Sequence, residues 1–216
     1  MRGVIESAPG TPRALREEWA LDGPAEARRL TASGVEQGDR ATAWALTAGF
    51  GPKLQVMSVD LQVRPPDHAS EVTTVAFRCH AGLAFGTTIG PGGVPEKTAT
   101  AFPEGSAFRG FSTALDGLTA VSAPLRPGHG RRLLVIELDA EDHVPRVRDW
   151  MVLAVAKRRA DATANAPWAI EYDFRRADAP GRTQSTVLAS LAGGVHRATR
   201  HTREGPVELL STALAP

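Results

Sequence analysis

The stretch that decides the fold runs from Arg131 to Arg159. It opens on Leu133-Leu134-Val135-Ile136-Glu137-Leu138 and crosses the acidic turn Asp139-Ala140-Glu141-Asp142-His143. After Pro145 it carries seven consecutive apolar residues, Trp150 to Ala156. The first run reads as a buried strand and the second as a buried helix. Downstream, Trp168, Ile170, Tyr172 and Phe174 alternate with Ala169, Glu171 and Asp173, the pattern of a half-buried strand. The 29 residues from Asp139 to Pro167 are long enough for a crossover, so a right-handed β-α-β unit is expected here.

Working outward towards the C-terminus, Val187, Leu188, Leu191, Ala192 and Val195 have helical spacing within Gln184 to Arg200. Val207 to Leu214 then closes the chain as a strand or tail. Upstream, Leu118 to Pro124 reads as a short strand, and 90–112 is rich in glycine and loops. Residues 72–79 and 83–89 form a hairpin pattern around His80-Ala81-Gly82. Leu54 to Val63 is the longest strand candidate; its alternation slips at Val56-Met57, which points to a bulge or to a strand buried on both faces there. Ala41 to Ala48 is a further strand. Short helices are read over Arg13 to Leu21 and Ala25 to Thr31.

The expected class is α+β. An antiparallel meander fills the first two-thirds, and a β-α-β-α segment packs helices on the sheet at the C-terminal end. Residues 1–23 are read as an N-terminal arm and 24–216 as a single domain.

Composition narrows the function classes. Basic and acidic residues number 25 and 24, a formal net charge of +1, which disfavours a dedicated nucleic-acid binder. Only Lys53, Lys97 and Lys157 are lysines, so arginine dominates every basic patch as a matter of composition. One cysteine, Cys79, excludes an internal disulfide framework. No signal-peptide pattern and no long apolar run are read, so the expected setting is cytoplasmic and off the membrane.

Motifs are weak. Gly90-Pro91-Gly92-Gly93-Val94-Pro95-Glu96-Lys97-Thr98 ends like a phosphate loop, but Glu96 stands where glycine is needed and two prolines remove N–H donors. Gly110-Phe111-Ser112-Thr113-Ala114 lacks the final glycine of a nucleophile elbow. Asp139, Glu141, Asp142 and His143 are read first as helix caps, and as a site only second. Cys79 shares an apolar face with Val75 and Phe77, where a buried, inert thiol is expected. His196, Arg197 and Arg200 belong to a basic cluster read as a helix end, or as an anion site built from guanidinium forks.

These readings lead to a binding or assembly module, homo-oligomeric or specific for a small anionic ligand, with no cofactor and no metal site. The rival is an enzyme acting on a small polar or anionic substrate. Its acid and base groups would come from His80, His143, Asp139 and Glu171.

Overall fold

A computed structural model describes residues 1–11, 14–37, 41–65, 71–122, 125–138, 145–160, 166–190, 194–202 and 205–215. Among the described residues fifteen strands form one sheet: β1 (Arg2–Ser7), β2 (Leu15–Asp22), β3 (Arg28–Glu36), β4 (Thr42–Phe50), β5 (Val56–Arg64), β6 (Thr73–His80), β7 (Leu83–Ile89), β8 (Pro95–Ala101), β9 (Ala107–Arg109), β10 (Gly130–Leu138), β11 (Pro145–Arg159), β12 (Trp168–Arg176), β13 (Thr183–Ser190), β14 (Val195–Thr202) and β15 (Gly205–Ala215). The single α-helix of the described residues, α1 (Thr113–Val121), lies between β9 and β10 in the chain.

Sheet order is β8-β7-β6-β5-β4-β3-β2-β1-β15-β14-β13-β12-β11-β10-β9, antiparallel throughout except for the β9–β10 pair. Simple reach shows that this sheet must curl. Laid flat, fifteen strands would put β8 and β9 on the order of 65 Å apart. The link from Ala101 to Ala107 can span only about 20 Å. The sheet therefore closes towards itself, and side chains confirm it: Phe77 on β6 meets Phe108 on β9 with ring centroids 5.0 Å apart, and Phe102 meets Phe108 at 5.2 Å.

Alternation decides which residues face inward. On β2 these are Leu15, Glu17, Trp19 and Leu21; on β4 they are Trp44, Leu46, Ala48 and Phe50. Trp44 lies across Gly34, its cross-strand neighbour, so closely that a Cβ there would be 2.5 Å from the indole. Glycine inside this strand thus makes room for a large buried ring. Of the two readings of the slip at Val56-Met57, the bulge is the one present, since Gly49 pairs with Ser58 and Phe50 with Val56. The β6–β7 hairpin turns through Ala81 and Gly82, both at positive φ, as a tight two-residue turn requires.

The α+β expectation is wrong: the fold is nearly all β. Trp150 to Ala156 belongs to β11, with Trp150, Val152 and Ala154 buried inward and Met151 and Leu153 half-buried. A short continuous apolar run fits a strand covered on both faces as well as a helix, and pairing with β10 and β12 decides it. The crossover is therefore absent: β10, β11 and β12 are antiparallel neighbours. Gln184 to Arg200 divides into β13 and β14, which pair with each other. The helices expected within 13–21 and 25–31 are replaced by β2 and β3, where period-two burial overrides local propensity. Conversely, of the strand expected over Leu118 to Pro124, residues 118–121 lie in α1, and residues 123 and 124 fall outside the described residues. The residues read as an arm include β1, which joins β2 to β15 and so links the two halves of the chain.

Candidate functional site

The inside of the curled sheet is occupied by α1, all nine residues of which are buried. Such a helix leaves its first N–H groups without partners in a dry interior, and the sheet supplies them. Ser112, the N-cap, accepts from Leu115 N at 3.1 Å and donates to Glu17 Oε1 at 2.7 Å. Thr113 N donates to Glu17 Oε2 at 2.7 Å, and Ala114 N to Oε1 at 3.1 Å. Burial pushes the Glu17 carboxyl above the ordinary glutamate range, while the Arg200 charge and these donors pull it down. Arg200 Nη2 donates to Phe111 O at 2.8 Å and to Thr113 Oγ1 at 2.9 Å. At the other end Arg131 reaches Ser122 Oγ at 3.3 Å, placing a cation near the negative end of the helix dipole.

A second buried cluster fixes the middle of α1. Arg109 grips Asp116 through two hydrogen bonds and donates from Nη2 to Ser185 Oγ at 2.6 Å. Its guanidinium carbon is 4.2 Å from the ring centroids of both Trp150 and Phe174. The ionic groups of the interior are thus engaged in holding the plug.

The large concavity lies outside. Strand register builds it in rows across the outer face. One row runs Glu18–Ser33–Ala45–Gln62 on β2, β3, β4 and β5, and the next runs Arg16–Val35–Ala43–Arg64. A third runs Arg2–Ala20–Thr31–Thr47–Asp60 from β1. Small side chains on β3 and β4 make a low floor, and long ones on β2 and β5 make walls about 14 Å apart, three strand spacings. The result is a groove with one end of about 500 Å³ and another of about 820 Å³, sharing Glu18, Ser33, Ala45 and Gln62. Arg16 is paired with Glu6 and Glu18. Arg64 has no carboxylate partner among the described residues.

No protein-family model matches the chain, and no curated protein matches it. Solved structures resemble it, two of them as follows. One is a DUF1089 family protein from Pseudomonas aeruginosa, with 12% identity, 83% of this chain and 86% of that chain covered, and a TM-score of 0.54. The other is a β-barrel-like protein of the domain of unknown function DUF1849 from Brucella abortus, with 10% identity, 99% and 95% covered, and a TM-score of 0.64. The fold is β-barrel-like. At these identities the likeness extends to the fold alone.

The residues singled out from the sequence fall in separate places. Asp139, Glu141, Asp142 and His143 lie outside the described residues. His80 is exposed at the end of β6, beside a niche of about 70 Å³ that also touches Cys79, Met57, Phe102 and Ser106. Glu171 on β12 forms an ion pair with Arg158 on β11. His196, Arg197 and Arg200 are on a strand, so the two arginines, three residues apart, point to opposite faces. Arg200 holds the N-terminus of α1, Arg197 is exposed, and His196 is the extra residue of a bulge opposite Leu188-Ala189. Cys79 is buried among apolar side chains, and burial pushes its thiol up to about 11. Among the described residues no group of three or more His, Cys, Asp or Glu side chains is arranged to hold a metal ion. No helix of the described residues is long and apolar enough to cross a membrane.

Sequence reasoning missed Glu17, Arg109 and Asp116. Glu17 had one signal, a carboxylate at the inward position between Leu15 and Trp19. Arg109 and Asp116 had none, because α1 was not read as a helix.

Proposed function

We propose that the chain is a binding module without a catalytic centre of its own, taking an elongated ligand with an anionic group in the groove over β2 to β5. The observation that carries this reading is the pattern of rows: small residues between long ones, with Arg64, which has no carboxylate partner among the described residues, at one wall. A guanidinium free of carboxylates binds an anionic oxygen through paired N–H donors. Val35 and Ala43 lie between the walls in the Arg64 row and favour a weakly polar ligand body there. The filled interior supports an exterior site, because α1 takes the space that a barrel ligand would need. A reducing, cytoplasmic setting belongs to the same proposal, supported by the single free thiol of Cys79.

The test is a titration with linear dicarboxylates and phosphate monoesters, followed by melting midpoint and calorimetry. Wild type should bind, and Arg64→Ala should weaken binding by about tenfold, or roughly 1.4 kcal/mol. Ser33→Trp fills the floor and should abolish binding while the protein still melts cooperatively. A ligand that binds Ser33→Trp as well as wild type places its site elsewhere and overturns the reading.

A further inference from the structure

Five charged side chains line the groove over β2 to β5, and they divide by whether a partner already holds them. Arg16 is paired with Glu6 and Glu18, and Asp60 with Arg78 at 2.9 Å. Arg2 and Arg64 line the groove too, both exposed. Neither has a carboxylate partner among the described residues.

These two arginines stand at opposite ends of the groove. Arg64 closes the row Arg16–Val35–Ala43–Arg64 on β5, and Arg2 opens the row Arg2–Ala20–Thr31–Thr47–Asp60 on β1. Four strand spacings, and four residues along β5, lie between them, so their Cα atoms are about 23 Å apart. The β2 wall is broken at the Arg2 end, because Ala20 stands there in line with Arg16 and Glu18. Arg2 thus meets the floor across a gap, and it lines the larger end of the groove together with Ala20 and Thr31. Between the two ends the path crosses only short side chains, among them Val35, Ala43, Ser33 and Ala45.

We propose that the ligand of this groove is a linear dianion, with one anionic group on Arg64 and the other on Arg2. The inference rests on the groove reading above and adds to it a second anchor and a minimum length for the ligand. Each guanidinium offers paired N–H donors to a carboxylate or a phosphate. Once one end is bound, the other meets its arginine within the same complex, so a dianion of sufficient length gains over a monoanion of equal length. A short dianion such as succinate reaches one arginine at a time and has no such gain.

The test is calorimetry on the whole chain with succinate, suberate, dodecanedioate and hexadecanedioate, each against its own monomethyl ester. The longer diacids should bind about tenfold or more tightly than their esters, the worth of one charge-assisted contact. Succinate should show only about a twofold advantage, from its two equivalent ends. Arg2→Ala and Arg64→Ala should each reduce the long diacids to that same small advantage. Both residues are exposed, so both variants should melt like wild type. Arg2→Glu should reverse the preference and take aminododecanoate, with its terminal ammonium, ahead of dodecanedioate. Equal binding of the long diacids and their esters overturns the proposal, as does a diacid advantage that survives Arg2→Ala. In either case, binding that Arg64→Ala weakens and Ser33→Trp abolishes leaves the groove standing with a single anionic anchor. Binding that Ser33→Trp leaves intact removes the groove reading itself, and this proposal with it.

Discussion

Arg109 and Asp116 form a bidentate ion pair inside the curled sheet, with Nε 3.0 Å from Oδ1 and Nη2 2.9 Å from Oδ2. Seven residues apart, they tie the end of β9 to the middle of α1, while Ser185 and the rings of Trp150 and Phe174 enclose the guanidinium. Planar, delocalised charge suits this place between two aromatic faces better than a lysine ammonium would.

Removing one partner leaves an uncompensated charge in the interior, which costs about 3–5 kcal/mol. Arg109→Met and Asp116→Leu should each fall in that range in urea unfolding. The double variant should lose clearly less than the sum of the two, because neither charge is then stranded. Additive losses would show that the two side chains are not coupled.

Glu17 offers a sharper contrast between neighbours. Glu17→Ala leaves Thr113 N, Ala114 N and the Ser112 hydroxyl short of an acceptor, each at about 1–3 kcal/mol. Glu17→Gln keeps one carbonyl oxygen and should lose less. Glu18→Ala, one position on and facing the groove, should change stability by no more than about 0.5 kcal/mol. Equal losses at the two positions would contradict the inward assignment of Glu17.

Strand texture was legible where one face is wet. Val75, Phe77 and Cys79 against Thr74, Ala76 and Arg78 gave β6 its alternation, and the slip at Val56-Met57 gave the bulge. It failed where both faces are covered. In β11, half-buried Met151 and Leu153 alternate with buried Trp150, Val152 and Ala154, which erases the period that separates strand from helix. α1 was hidden for another reason: it is only nine residues long, has Gly117 at its middle, and buries its polar residues Thr113, Asp116 and Thr119 as well as its apolar ones, so its pattern is too short to stand out from a loop. The groove was not legible either. Its rows depend on register across four strands, and a linear reading of Ser33, Ala45, Gln62 and Arg64 shows four unremarkable surface residues.

Val135 and Ile136 test the same overlap of the sheet. They are 0% and 1% exposed although they are consecutive on β10 and point to opposite faces. Ile136 pairs with Phe108, which faces Phe77 of β6, so the outer face of β10 is covered by the incoming sheet. Val135→Asp and Ile136→Asp should each cost several kcal/mol, on the order of a buried unpaired charge. An unchanged melting midpoint for Ile136→Asp would mean that the sheet does not overlap itself there.

Cys79 gives the pH dependence. Desolvation pushes its thiol up to about 11, with the charge of Arg78 pulling weakly the other way. Because the folded value lies above the ordinary thiol range, the folded protein holds this proton more tightly than the unfolded chain. The resulting stabilisation is fully present below the ordinary thiol range and is lost as pH rises through about 11. At pH 8 the native thiolate population should be roughly two orders of magnitude below that of an ordinary cysteine near 8.5. Iodoacetamide should therefore label native protein slowly at pH 8, faster towards pH 11, and at the ordinary rate in urea. Cys79→Ala should lack the alkaline loss of stability attributable to this group. Rapid labelling of the folded chain at neutral pH would show that the thiol is open to solvent, contrary to its place on the inner face of β6.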